Sequence, residues 1–122
     1  MAAGSRVALV ARLQGVFYVL TGLWPVLSRA TFEAVAGPKT DYWLVQAFGS
    51  VLAMIGVVLL FAARTGRIGR EVVVLGVGMA TVVAGCDVLA AAQPRNSGAY
   101  LADAAVEAGF VVWWVWAWRG GR

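Results

Sequence analysis

The sequence predicts an all-α fold, a four-helix transmembrane bundle, and three observations carry the prediction. Four apolar stretches of roughly twenty residues follow one another along the chain, each long enough to cross a bilayer. Of the 122 residues 61% are apolar, with a mean hydropathy of +0.81, where a soluble domain averages about 45–50% apolar. Only 13% are charged, and they fall in clumps between the stretches. A chain of this length holds one domain, spanning 1–122.

The first span is expected over 7–27, with Arg6 and Arg12 at its start and Pro25 near its far end, where a lost backbone bond matters least. It is long for the apolar part of a signal peptide, and VLSRA is a poor cleavage site, so a retained span is expected. Arg12 lies about one and a half turns in, within reach of the interface by snorkelling. The connection SRATFEAVAGPKTD mixes Phe32 and Val35 with Glu33 and Lys39, which predicts a short amphipathic piece lying at the interface before a Gly37-Pro38 turn. The second span, 42–63, opens on Tyr42-Trp43, an aromatic pair suited to headgroup level. A basic turn with Arg64, Arg67 and Arg70 leads to the third span, 72–92. Pro94 and Asn96-Ser97-Gly98 then turn the chain into the fourth, 100–118, whose WWVWAW end reads as an interfacial tryptophan belt.

Orientation follows from the basic residues. Arg6, Arg12, Arg64, Arg67, Arg70, Arg119 and Arg122 share one side, and Arg29, Lys39 and Arg95 the other, which places both termini in the cytoplasm. The net charge of +4 is therefore explained by topology, and no nucleic-acid partner is expected. Gly15 and Gly22, Gly49 and Gly56, and Gly78 and Gly85 are seven apart, so each pair marks one helix face where a neighbour can approach closely.

Composition also excludes chemistry. With no histidine, His-ligated haem or zinc and a histidine base are ruled out, and no metal or cofactor is expected. The single Cys86 permits no internal disulfide and reads as a small buried apolar residue.

Three of the six acidic residues, Asp87, Asp103 and Glu107, lie inside apolar spans, where an ionisable group points to function. Helical spacing puts Asp103, Glu107, Phe110 and Trp114 on one face, and Gly76, Ala80, Val83 and Asp87 on another. Gln14, Tyr18 and Thr21 form a polar stripe on the first span, and Trp43, Gln46 and Ser50 one on the second. Turned inward, these stripes enclose a polar lumen open to the outside, with Asp87 and Glu107 about 8–10 Å below the outer surface. Against this stands the plainer expectation that Asp87 pairs with Arg29, Lys39 or Arg95 at the rim, and that Gln14 and its neighbours only glue helices together.

The segment RLQGVFYVLTGLWPVL, Arg12 to Leu27, resembles the first helix of the DoxX-like group of small bacterial membrane proteins, which share an arginine, spaced glycines and aromatics there. The following FEAVAGPKTDYWLVQAFG is similar to loops of small bacterial membrane proteins. The resemblance covers about the first half of the chain. It implies a four-helix bundle in a bacterial inner membrane and supplies no activity.

The expected function is binding or transport of a cation or protonated small molecule. Its ligand residues are Glu107, Asp87 and Asp103, with Gln46 and Thr21 as polar partners and Tyr18, Trp43 and Tyr100 as walls. A structural or assembly subunit of a larger membrane complex is the alternative, with a homo-oligomer compatible with either. An enzyme acting on lipid would have to rely on carboxylates alone and is the least favoured reading.

Overall fold

The computed structural model describes residues 2–120, with side chains from Arg6 onward. Five helices follow in order, α1 (Ala2–Leu27), α2 (Arg29–Ala36), α3 (Tyr42–Thr65), α4 (Arg70–Ala91) and α5 (Ala99–Arg119). Among the described residues there is no strand. Three helices, α1 over Arg6–Leu27, α3 and α4, are long and apolar enough to cross a membrane, the mark of an integral membrane protein. The expected fourth span, α5, is 21 residues long, but with Asp103, Glu107 and Arg119 in it the helix is not among those three.

Helix limits follow local chemistry. Pro25 lies inside α1 but only two residues from its end. Ser28 then starts α2 as its N-cap, its side chain accepting from the Thr31 amide. The short amphipathic piece expected after the first span is thus a helix. Gly66 ends α3 with φ 73°, a left-handed cap that returns its N–H to the Ala62 carbonyl.

The helices pack as two antiparallel hairpins. α1 lies against α3 along its length, α4 against α5, and the pairs meet mainly through α1 and α5. α3 leans on α4 only sparsely. The α1–α3 contact depends on the predicted glycines. A Cβ on Gly22 would sit 2.8 Å from the Ala53 amide nitrogen, and one on Gly56 would sit 2.7 Å from the Gly15 carbonyl oxygen. Without side chains the two backbones pass close enough for dispersion along the whole crossing.

Gly78 and Gly85 behave otherwise, since nothing lies within contact of either, and the third small-residue face of α4 is open. Cys86 beside it is exposed, not buried as expected. Of the tryptophans expected in an interfacial belt, Trp114 alone is buried instead. Trp114 is 0% exposed, packs its ring against Gly76, and donates Nε1 to Gln14 Oε1. Gln14 in turn donates Nε2 to the Gly76 carbonyl at 2.9 Å. This buried network ties α1, α4 and α5 together, because an indole N–H in an apolar interior needs an acceptor.

Candidate functional site

The predicted faces of α4 and α5 do turn toward each other. Gly76, Ala80, Val83 and Asp87 are all buried, as are Glu107, Phe110 and Trp114, with Asp103 half-buried. Asp87 and Glu107 are 6% and 1% exposed. One carboxylate oxygen from each of Asp87, Asp103 and Glu107 lies within 4.8 Å of the others, close enough for one cation to bridge all three. Tyr18 of α1 donates its hydroxyl to Glu107 Oε1 at 2.8 Å. Asp87 Oδ2 is buried with no hydrogen-bond partner among the described residues. Leaving a buried polar group unpaired costs about 1–3 kcal/mol, so this atom marks a place where a donor is wanted.

The expected rim pairing of Asp87 is not formed. Among the described residues the sole ion pair joins Arg29 Nε to Glu33 Oε1 at 3.3 Å. Lys39 Nζ donates to the carbonyls of Ala36 and Gly37, at 3.1 and 2.9 Å, and to Asn96 Oδ1 at 2.6 Å. Burial pushes the Lys39 ammonium below its ordinary value, Arg95 acting in the same sense and Glu33 against it. Arg95 reaches Thr40 Oγ1. All three cations are therefore committed to the α2–α3 and α4–α5 connections, and the acids are left without a basic partner.

In front of the acids lies a cavity of about 390 Å³. Asp87, Asp103 and Glu107 line it together with Thr21, Tyr100, Trp24, Phe32 and Phe48. Thr21 spends its hydroxyl on the Phe17 carbonyl at 2.7 Å, so its donor is turned inward to its own helix. Tyr18 is wholly buried beneath the cavity and reaches it through Glu107. Trp43 and Gln46, by contrast, are exposed and line nothing here. The inward stripe expected on α3 faces out of the bundle, and Ser50 satisfies itself on the Gln46 carbonyl at 2.8 Å. α3 instead presents Leu44, Val45, Phe48, Gly49 and Leu52.

The short helix α2 also lies over part of the cavity. α2 crosses from α1 toward α5 and contributes Phe32, Val35 and Ala36 to the lining. It is pinned there by the Ser97 amide donating to the Ala36 carbonyl at 3.1 Å and the Ser97 hydroxyl donating to Val35 O. Gly37 allows this clamp, since a Cβ there would run into Arg95 O and its φ of 101° suits glycine. The Lys39 amide donates to Glu33 Oε2 at 2.8 Å, and with Arg29 beside it holds the Glu33 carboxyl below its ordinary value. The roof was legible in part, because Phe32, Val35 and Ala36 stand three and four apart.

Comparison with family models, with curated proteins and with solved structures returns no match to this chain.

Proposed function

We propose that this chain is a four-helix transmembrane protein of a bacterial inner membrane, DoxX-like in its first half, that binds a protonated amine in its acidic cavity in exchange for protons. At 1.5 Å per residue α5 reaches about 31 Å, enough to cross, and it carries its acids on the face packed inside the bundle. The arginine asymmetry supports cytoplasmic termini, which puts α2 and the cavity on the outer side.

The observation that carries the reading is Asp87 Oδ2, a buried acceptor without a donor beside an empty volume. An organic ammonium matches the surroundings better than a bare metal ion. A hard cation such as Ca²⁺ wants six to eight oxygens, whereas beyond the three carboxylates the lining is mainly apolar and aromatic. A primary ammonium has three N–H donors for three carboxylates, and its carbon chain suits the walls. One positive charge does not neutralise three carboxylates, so protons share the site and compete for the same oxygens.

The test is calorimetry with n-butylamine on the full chain in nanodiscs. Saturable binding is expected in the wild type and none in Glu107→Gln; equal binding by that variant removes the proposal. A second reading, an assembly subunit or homo-oligomer, is favoured by the open Gly78–Gly85 face of α4. Native mass spectrometry of gently solubilised membranes separates the two, since a subunit is recovered with its partner at fixed stoichiometry.

A further inference from the structure

We infer that the cavity is loaded sideways from the bilayer, and that its ligand is a single-chain amphiphilic amine whose head meets the acids while its tail lies in the mouth between α3 and the α4–α5 hairpin. The inference rests on the proposed amine reading and narrows it to a class of ligand and a route.

Three observations meet here. First, the axial route is closed by α2, held to the α4–α5 connection through Ser97 and through Lys39 to Asn96. A water-soluble ligand would have to break this clamp. Second, the lining residues that remain exposed are Val35, Leu44 and Phe48, at 47%, 52% and 49%, and all are apolar. A mouth facing water would be rimmed by polar groups, whereas an apolar rim suits hydrocarbon. Third, the sparse contact of α3 with α4 leaves the seam where such a mouth must open.

Charge and depth agree with this geometry. Leu44 and Phe48 fall in the first two turns of α3, while Asp87 is four residues from the end of α4 and Asp103 four from the start of α5. The mouth, Asp87 and Asp103 thus lie within about 9 Å of the same helix ends, near the boundary between headgroups and acyl chains, with Glu107 about 12 Å in. An amine dissolved in the bilayer already sits at that boundary with its tail among the acyl chains, so a short lateral step brings its ammonium to the unpartnered Asp87 Oδ2. The tail leaves hydrocarbon only for other apolar surface.

The experiment uses the full chain in phosphatidylcholine nanodiscs with radiolabelled dodecylamine and n-butylamine, each corrected for partition into empty nanodiscs. Wild type should retain dodecylamine at least tenfold more tightly than butylamine. Leu44→Trp and Phe48→Trp, which narrow the mouth on its α3 side at exposed positions, should each lower dodecylamine binding at least tenfold and lower butylamine binding by a clearly smaller factor. Glu107→Gln should remove both. If butylamine binds as tightly as dodecylamine, or both tryptophan variants spare dodecylamine or weaken the two amines equally, lateral loading is wrong while the amine site stands. If neither amine shows Glu107-dependent binding, the amine site itself has failed and takes the route with it.

Discussion

Tyr18 on α1 and Glu107 on α5, 89 residues apart, meet in a hydrogen bond of 2.8 Å that fixes the deepest carboxylate of the cluster. With both groups almost wholly buried, neither has water as a substitute partner. Tyr18→Phe should therefore cost about 1–3 kcal/mol, the usual cost of stranding a buried polar partner. Unfolding of the purified variant in detergent measures it, and an unshifted midpoint would mean the bond contributes nothing.

Asp87 is expected to trade stability for binding. Its Oδ2 lacks a donor among the described residues, so Asp87→Asn replaces a buried ionisable carboxyl with a neutral group of the same size. We expect a variant about 1 kcal/mol more stable that binds n-butylamine at least tenfold more weakly. Melting and calorimetry on one preparation check both, and a destabilised variant would show that the carboxylate is already satisfied in the free protein.

Acidification should weaken amine binding, because protons and ammonium contend for the oxygens of Asp87, Asp103 and Glu107. Butylamine titrations at successively lower pH test this. Affinity that stays constant or rises would rule out proton exchange as the driving step.

The Gln14 link predicts coupling across the bundle. Gln14→Leu strands the Trp114 indole N–H, and Trp114→Phe strands Gln14 Oε1, each at about 1–3 kcal/mol. The double variant should cost clearly less than the two singles added, and strict additivity in the cycle would dissolve the network.

At the α1–α3 crossing Gly22→Val should be costly, since its new atoms meet the Gly49 carbonyl and the Ala53 backbone, which cannot swing aside. Overpacking of this kind costs about 1–3 kcal/mol. The same change at Gly78, where nothing is near, should leave the monomer's melting unchanged.

Acid should loosen the α2 roof. The Glu33 carboxyl is held below its ordinary value, chiefly by the Lys39 amide, so its contribution is present above that ordinary value and is lost as pH falls through the lowered folded one. Hydrogen exchange at the Lys39 amide, followed down through the acid range, should accelerate there in the wild type and already be fast at neutral pH in Glu33→Gln.

What the amino-acid order determines by itself is local: helix limits, the amphipathic character of α2, the facing of Asp87 with its small residues, and the shared face of Asp103, Glu107, Phe110 and Trp114. These follow from chain-length requirements, caps, turn residues and helical period, which need no knowledge of neighbours. The direction of α3 was not legible, because a helix in lipid is apolar toward both lipid and bundle, and its polar Gln46 and Ser50 turned out to mark the outside. Trp114 carried two readings, on the inward face and in the belt, its indole being suited equally to an interface and to a buried acceptor such as Gln14. Only the tertiary packing decided that the acids converge with no lysine or arginine paired to them among the described residues, that Lys39 and Arg95 are held elsewhere, and that α2 lies over the cavity. Those outcomes depend on contacts between residues far apart in the chain, where geometry and the lack of water decide which partner each polar group keeps.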